Sequence, residues 1–355
     1  MPLIFEELHP GTDHERVVRV RDAGAGYDAV IAVHSSAAGR AVGGTRFWRY
    51  DSFESALNDA LRLSRGMTLK CLMARLPLGG GKSVILRGPD PIDRVALFEA
   101  HGLAIEALDG AFSTGEDVGT SPADMAIVAR KTRHVAGLPD RSGDPSPYTA
   151  RGVITALEAC AEGLWGSVRL EGKTVALQGC GAVGAPLARG LAARGARLIL
   201  CDVDAVRAGT LAKELRADLV EPDRIWDADA DIFSPCALGG SLSRTTIPRL
   251  KCAIVAGSAN NQLATDDDGA RLHARGIRYA VDYVANAGGL LSGCREALGW
   301  SERQMDEGLA RIGETMREVL AAAREARIPE SEAADRIAWE RLRTIRGSAE
   351  GRPGR

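Results

Sequence analysis

Short apolar strands alternate with helical segments in the second half of the chain, and this pattern constrains the fold more than any other feature of the sequence. A strand candidate at 174–177 runs into Gly179-Cys180-Gly181-Ala182-Val183-Gly184, and an alanine- and leucine-rich helix follows. Further strand candidates lie at 198–200, 231–233 and 252–255. Strands that alternate with helices in this way build a parallel, doubly wound sheet. The sequence therefore predicts an α/β fold.

The three glycines after the first of these strands have the G-x-G-x-x-G spacing of a dinucleotide-binding turn. Gly179 would make the turn, Gly181 would admit a pyrophosphate, and Gly184 would let helix and strand pack closely. Asp202 ends the second strand, where a carboxylate accepts ribose hydroxyls and repels a 2′-phosphate. We therefore predict a domain that binds NAD in preference to NADP. Arg207 is a cation that could reach a phosphate, and a purely structural glycine turn is the alternative.

The first half of the chain carries a second glycine-rich segment, at 78–81, which ends at Lys82. Backbone without side chains leaves room for a ligand, and Lys82 would direct an amine towards it. Lys70 lies twelve positions earlier, and two lysines that converge on one apolar pocket lower each other's pKa. A neutral lysine is a competent general base. The alternative is a surface lysine after a glycine-rich turn; the spacing of a phosphate-binding G-x-x-x-x-G-K-[ST] loop is absent.

Asp117 lies in the segment 116–120, which follows a short strand candidate. A carboxylate beside two lysines is ionised and can exchange protons with a reacting amine or water. The alternative is a structural one, in which Asp117 is a helix N-cap before Ser121-Pro122. The two interpretations differ in what the carboxylate contacts.

Composition bounds the class of protein. The length of 355 residues favours two domains, and a net charge of −2 suggests neither a nucleic acid nor a membrane surface as partner. The N-terminus lacks the pattern of a signal peptide, and no apolar run reaches membrane-spanning length. Seven cysteines without C-x-x-C pairing, and histidines without H-E-x-x-H, predict reduced thiols and no metal site. We therefore expect a cytoplasmic protein.

Eight segments of the chain carry recognisable motifs, at 43–46, 66–70, 78–82, 116–120, 179–184, 235–240, 256–263 and 286–289. Taken in order, these motifs resemble those of the glutamate/leucine/phenylalanine/valine dehydrogenase family, and within it the branch that acts on leucine, phenylalanine, valine and tryptophan. The resemblance covers nearly the whole chain. It implies reversible, NAD-dependent oxidative deamination of an L-amino acid to a 2-oxo acid and ammonia, by a homo-oligomer.

The resemblance also implies a role for individual residues. Lys70 matches the lysine that binds the substrate carboxylate, Lys82 the catalytic lysine, and Asp117 the acid that exchanges protons with the amino group and the attacking water. The other positions assigned to the substrate are Val42, Gly43, Gly44, Met67, Gly115, Asn260, Leu290 and Gly293. The positions assigned to the cofactor are Arg46, Thr149, Gly179, Cys180, Gly181, Ala182, Val183, Gly184, Asp202, Cys236, Ala237, Ala259 and Asn260.

Four of these positions bear on the choice of substrate. Val42 stands where members acting on glutamate are expected to place a lysine, and an apolar side chain cannot pair a second carboxylate. Branched-chain enzymes carry alanine at the position of Gly115 and valines at those of Leu290 and Gly293. Glycine vacates volume, so the pattern favours an aromatic side chain, with a branched-chain amino acid as the alternative. Arg40 replaces a usual proline and leaves an unusual or anionic substrate open.

We expect an N-terminal α/β substrate domain and an NAD-binding Rossmann domain, with a cleft between them. The first would span 1–140 and carry catalysis and oligomerisation, with helices at 331–345 packed back on it. The second would span 145–330, and 346–355 would be a disordered tail. Two other functions remain open: a non-catalytic NAD-binding sensor and a 2-hydroxy-acid dehydrogenase. A 2-hydroxy-acid dehydrogenase would need a His–Asp pair as the base and an arginine for the substrate carboxylate, whereas a lysine with an aspartate favours amine chemistry.

Overall fold

A computed structural model describes residues 2–138, 144–295 and 298–350 of the chain. The described residues form two compact units, one within Met1–Gly143 and Ala338–Arg355, the other within Asp144–Ile337. Residues 139–143, which lie at the predicted boundary between the domains 1–140 and 145–330, are outside the described part of the chain.

The described residues of the first unit form a six-stranded mixed sheet, in the order β1-β2-β3-β5-β4-β6. β5 pairs antiparallel with β3 and parallel with β4, which also pairs parallel with β6. The strands are β1 (Ile4–Glu7), β2 (Arg16–Asp22), β3 (Tyr27–Ser35), β4 (Ala41–Trp48), β5 (Gly79–Leu86) and β6 (Phe112–Glu116). The helices are α1 (Phe53–Met73), α2 (Arg94–Glu106) and α3 (Pro122–Val128).

Helices cover this sheet on two faces, and alternation along β5 decides which side chain meets which helix. Val84 belongs to a buried cluster with Ala60 of α1, while Ile85 belongs to another with Phe98 of α2. Because successive side chains of a strand point to opposite faces, Lys82 lies on the face that carries α1.

The described residues of the second unit form a parallel sheet of six strands in the order β12-β11-β10-β7-β8-β9. Starting from β7, this is the 3-2-1-4-5-6 order of a doubly wound dinucleotide-binding sheet, so the predicted α/β fold is confirmed. The strands are β7 (Thr174–Gln178), β8 (Arg197–Cys201), β9 (Asp218–Leu219), β10 (Ile232–Pro235), β11 (Ile254–Val255) and β12 (Arg278–Tyr279). The helices are α4 (Ser146–Trp165), α5 (Gly184–Ala192), α6 (Ala205–Leu215), α7 (Asp267–Ala274), α8 (Asp282–Ala285), α9 (Gly288–Arg295) and α10 (Glu302–Ala326).

The last helix, α11 (Glu330–Glu350), returns to the first unit from Ala338 onwards. Arg341 donates to the Leu72 carbonyl at 3.1 Å, and Arg346 lies 3.8 Å from the Glu15 carboxylate. The helix continues through 346–350, whereas the sequence predicts a disordered tail from residue 346 onwards. These contacts with the first unit give the physical reason, and 351–355 lie outside the described residues.

Candidate active site

A buried ion pair lies at the centre of the first unit. Lys82 in β5 is 5% exposed, and its Nζ lies 2.9 Å from Oδ2 of Asp117. An ammonium group buried without a partner is strongly disfavoured, so this contact is what makes the position tenable. The surface-lysine alternative is wrong.

Asp117 follows β6 directly, and its carboxylate faces two cations. Besides Lys82 it accepts a hydrogen bond from Arg46 Nε at 3.0 Å. Its backbone is fixed by Thr120, because the Asp117 N–H donates to Thr120 Oγ1 at 2.9 Å. The cap of α3 is Ser121, whose hydroxyl accepts the N–H of Asp124. The helix-cap alternative for Asp117 is therefore wrong.

The ionisation of this pair follows from burial and from the neighbouring charges. Burial lowers the pKa of Lys82 below its ordinary value, although the Asp117 carboxylate acts in the opposite direction. Burial alone would raise the pKa of Asp117, but the cations Lys82 and Arg46 outweigh it and hold that pKa low. Arg46 is a like charge that contributes to the lowered pKa of Lys82, a contribution that we attribute to Lys70 in the sequence analysis.

Behind Arg46 lies a second carboxylate, which the sequence analysis does not single out. Arg46 Nη1 contacts Asp59 Oδ2 at 2.8 Å, and the Tyr50 hydroxyl donates to the same oxygen at 2.6 Å. Arg62 contacts the other oxygen at 2.8 Å. The signal in the sequence that could have identified Asp59 is an acidic residue directly before Ala60, on the side of α1 that faces the sheet. A cavity of about 540 Å³ borders Arg46 and Asp59.

The glycine-rich segment has a different purpose from the one predicted. A Cβ on Gly80 would lie 2.1 Å from the backbone nitrogen of Thr68, and one on Gly81 would lie 2.6 Å from the ring of Phe112. These glycines make room for other parts of the protein. The prediction that they leave space for a ligand is wrong at both positions.

The remaining substrate positions predicted in this unit lie on β4, β6 and α1. A Cβ on Gly44 would lie 2.7 Å from Cβ of Asp117, and one on Gly43 would lie 1.8 Å from the Gly81 carbonyl oxygen. A Cβ on Gly115 would meet the carbonyl oxygen of Ala136 at 3.5 Å, an ordinary contact. The structure thus brings Gly44, Arg46, Lys82 and Asp117 together. Val42 in β4 and Met67 and Lys70 in α1 are half-buried.

In the second unit the glycine turn after β7 fits a dinucleotide. Gly179 has a φ of +96°, and a Cβ on Gly184 would lie 1.9 Å from the Gly179 carbonyl oxygen. Among the described residues, apart from Gly181 itself and its two chain neighbours, no heavy atom lies within 4 Å of a Cβ placed on Gly181. Two glycines therefore serve the turn and its packing, and the middle one leaves open space before the N-terminus of α5, where a phosphate is favoured.

The acid at the end of β8 is attached to this turn. Asp202 Oδ2 accepts the Cys180 N–H at 2.7 Å, and its side chain is 6% exposed. Arg207 lies 3.6 Å from the same oxygen. The carboxylate thus holds the glycine turn in place and has a cation beside it.

Two asparagines meet near the end of the parallel sheet. Asn260 Oδ1 accepts a hydrogen bond from Asn286 Nδ2 at 2.8 Å. Asn286 Oδ1 is buried, and the described residues supply no donor to it. Such an acceptor fits an N–H from a ligand, as in the carboxamide of NAD or the amine of a substrate. The other predicted contacts are Cys236 and Ala237 directly after β10, Ala259 after β11, Thr149 in α4, and Leu290 and Gly293 in α9.

Comparison with known proteins gives the family. The model of the Glu/Leu/Phe/Val dehydrogenase dimerisation domain matches residues 14–134, and that of glutamate/leucine/phenylalanine/valine dehydrogenase matches 200–347. The chain belongs to this dehydrogenase family. As a member it is an oxidoreductase of the amino-acid dehydrogenase class, and the family is generally NAD(P)-dependent.

Individual relatives of this dehydrogenase match it over nearly their whole length. Leucine dehydrogenase of Geobacillus stearothermophilus is 44% identical over 94% of this chain and 92% of its own. L-tryptophan dehydrogenase of Nostoc punctiforme is 39% identical over 98% of both chains, and phenylalanine dehydrogenase of Thermoactinomyces intermedius is 41% identical. The crystal structure of the Nostoc punctiforme enzyme superposes with a TM-score of 0.85, at 38% identity, over 94% of this chain and 97% of its own.

Within the described residues of the dehydrogenase, no helix is both long and apolar enough to cross a bilayer. Nor do three or more histidine, cysteine, aspartate or glutamate side chains in those ranges group as metal ligands would.

Proposed function

We propose that this protein catalyses the reversible, NAD-dependent oxidative deamination of an apolar L-amino acid, with an aromatic side chain preferred. The products are the 2-oxo acid, ammonia and NADH. The observation that carries the proposal is the buried contact of 2.9 Å between Lys82 Nζ and Asp117 Oδ2. A lysine with a lowered pKa beside an ionised carboxylate supplies a base and a proton carrier in one place.

Each side chain has one task in this proposal. The Lys70 ammonium pairs with the substrate carboxylate. Asp117 takes a proton from the substrate ammonium group and returns one to nitrogen when the C–N bond breaks. Lys82, as a neutral amine, removes a proton from water while the water oxygen bonds to Cα of the iminium. Because Lys82 and Asp117 are in contact, the proton taken from water can pass from Lys82 to Asp117. Lys82, again neutral, then takes the hydroxyl proton as the C=O bond of the 2-oxo acid forms.

The second unit would hold the cofactor. When bound there, NAD would supply the acceptor for the α-hydrogen of the amino acid, which leaves as a hydride. The open position at Gly181 would receive the pyrophosphate, and Asp202 would accept hydrogen bonds from the adenine ribose. A carboxylate there disfavours a 2′-phosphate, which supports NAD over NADP. Arg46 and Thr149 are proposed as further cofactor contacts, and Asn260 as a contact of the substrate amine.

Two positions support an aromatic substrate, and a third argues against glutamate. Val42 offers no charge to the second carboxylate of glutamate. A Cβ on Gly115 would make only an ordinary contact among the described residues, and one on Gly293 would have no described atom within 4 Å apart from the neighbouring backbone of its own helix. Backbone at these positions leaves volume for a ring. The alternative is a branched-chain substrate, which the identity of 44% with a leucine dehydrogenase supports.

The direct test is the reduction of NAD at 340 nm and alkaline pH, with L-Phe, L-Trp, L-Leu, L-Val and L-Glu offered separately. Preference for the aromatic pair is expected. Preference for leucine or valine would keep the enzyme class and overturn the substrate assignment. Lys82→Ala is expected to abolish turnover while NADH still binds, as measured by its fluorescence; retained turnover would contradict the mechanism.

We also infer a homo-oligomer in the cytoplasm. The matching family model is that of a dimerisation domain over residues 14–134, which supports self-association through the first unit. Light scattering after size-exclusion chromatography tests this directly, and a monomeric mass at micromolar concentration would overturn it.

A further inference from the structure

We infer that Asp59 is a positioning residue for the reaction: through Arg46 it fixes the Asp117 carboxylate against Lys82 and sets the negative charge that Lys82 experiences. This inference rests on the proposed function, in which Lys82 and Asp117 carry the chemistry. It concerns a residue that touches neither of them.

The geometry is a chain of alternating charges. Lys82 Nζ lies 2.9 Å from Asp117 Oδ2, the same oxygen lies 3.0 Å from Arg46 Nε, and Arg46 Nη1 lies 2.8 Å from Asp59 Oδ2. The four side chains are 6%, 21%, 20% and 15% exposed in that order. Because little water screens them, each charge acts strongly on its neighbours.

The guanidinium of Arg46 sets the geometry of this chain of charges. Arg46 uses Nε for one carboxylate and Nη1 for the other, and its planar group is rigid. Two contacts at different nitrogens therefore fix both its position and its plane. Without Asp59, Arg46 is free to rotate its guanidinium towards Asp117 and to donate hydrogen bonds from two nitrogens to that carboxylate, which is the bidentate geometry that arginine prefers. This would draw Asp117 away from Lys82.

Asp59 is itself held from two further sides. The Tyr50 hydroxyl donates to Oδ2 at 2.6 Å, and Arg62 contacts Oδ1 at 2.8 Å. Asp59 thus faces Arg46 of β4, Arg62 of its own helix and the phenol of Tyr50 after β4. Both its position and its charge are fixed by groups of the same unit.

The charge of Asp59 changes the pKa of Lys82 in a definite direction. The Asp59 carboxylate raises the pKa of Lys82, so its removal lowers that pKa further. Arg62 neutralises part of the Asp59 charge, so the loss of Arg62 has the opposite effect. A residue that merely holds α1 in place would change stability without moving an ionisation in either direction.

The first experiment compares Asp59→Asn with the wild-type protein in the full chain. We expect kcat to fall by about ten- to a hundredfold, because a small displacement of the reacting groups is that costly. We expect the KM for the amino acid to change little, because Lys70 binds its carboxylate. The acid limb of the kcat/KM profile is expected to move to lower pH.

A second readout needs no turnover. Acetic anhydride reacts with neutral amines, so the pH dependence of Lys82 acetylation, measured by peptide mass spectrometry, reports the ionisation of Lys82 in ligand-free protein. The chain has six lysines, and the four other than Lys70 and Lys82 serve as internal references. The midpoint for Lys82 is expected to fall in Asp59→Asn and to rise in Arg62→Gln. Glu54→Gln, at an exposed carboxylate in the first turn of α1, is the matched control and should leave it unchanged.

The outcomes separate the two proposals. A wild-type protein that oxidises no amino acid defeats the proposed function, while the acetylation midpoints still test Asp59. Midpoints and rate profiles that superpose for Asp59→Asn, Arg62→Gln and wild type overturn the role of Asp59. If Asp59→Asn does not fold, Tyr50→Phe is the second variant, because it keeps the Asp59 charge and removes one hydrogen bond to that carboxylate. A kcat reduced several-fold with an unmoved pH profile of kcat/KM supports the positioning role of Asp59. An unchanged kcat contradicts it.

Discussion

The backbone nitrogen of Thr68 occupies the place that a side chain on Gly80 would need. A Cβ on Gly80 would lie 2.1 Å from that nitrogen and 2.5 Å from Cα of Thr68. Helix α1 therefore packs on β5 at backbone distance. The helix that carries Lys70 is in this way brought against the strand that carries Lys82.

Gly80→Ala is expected to destabilise the protein by about 3 kcal/mol or more, because neither backbone can yield to the added methyl group. Urea unfolding followed by circular dichroism measures the loss. The matched control is Gly66→Ala, in the same helix, where the new Cβ would have no described atom within 4 Å apart from the neighbouring backbone of its own helix; it is expected to stabilise by about 0.5–1 kcal/mol. Equal stability of Gly80→Ala and wild type would contradict the packing account.

The contrast between Gly80 and Gly181 shows how far sequence reasoning reaches. The strand and helix periodicities of the second half predict the sheet, and the turn at Gly181 keeps its predicted open space. Gly80 also lies in a glycine-rich segment, before Lys82, but the backbone of Thr68 occupies the space that its missing side chain leaves. Spacing along the chain does not say which distant segment fills the space beside a glycine. For the same reason the sequence does not pair Asp59 with Arg46, since that contact depends on how α1 lies on β4.

Gly115→Ala is expected to shift substrate preference from aromatic towards branched-chain amino acids. The new methyl group would take volume that a ring needs, and a single carbon in an apolar site discriminates by about 10- to 200-fold. The ratio of kcat/KM for L-Phe to that for L-Leu measures the change. Because a Cβ at this position meets the Ala136 carbonyl oxygen at 3.5 Å, stability should be unaltered. An unchanged ratio would remove Gly115 from the substrate site.

Asp202→Ser is expected to reduce the preference for NAD over NADP by at least about tenfold. The variant removes the Asp202 charge, which repels a 2′-phosphate. It also releases Arg207, which lies 3.6 Å from the Asp202 carboxylate in the wild-type protein, to pair with the 2′-phosphate of NADP. The ratio of kcat/KM for the two cofactors measures the effect. Asp204→Ser is the control, because it also loses a partner of Arg207 at 3.1 Å while a serine still caps α6. A cofactor ratio that falls equally in both variants would assign the effect to Arg207 alone.

A buried polar chain lies beneath β4, on the face opposite Lys82. His101 of α2 is fully buried; its Nδ1 lies 2.9 Å from the Tyr27 hydroxyl and its Nε2 lies 2.8 Å from Thr45 Oγ1. Thr45 in turn contacts Thr114 Oγ1 at 2.5 Å. Burial lowers the pKa of His101 from 6.5 to about 3, so the imidazole stays neutral in the folded protein at any pH at which an enzyme of this kind is assayed.

His101 should make stability depend on pH in a predictable direction. Between pH 6.5 and about 3 the unfolded chain binds a proton at this residue and the folded chain does not. Stability contributed by neutral His101 is therefore complete above pH 6.5 and is lost as pH falls, by roughly 1.4 kcal/mol per pH unit. His101→Gln keeps a donor and an acceptor but does not titrate. Its unfolding free energy, from urea titrations at pH 7.5 and 5.5, is expected to fall less than that of wild type, whereas His9→Gln, at an exposed position, should follow wild type. Parallel losses in His101→Gln and wild type would mean that the buried imidazole is not the group that titrates.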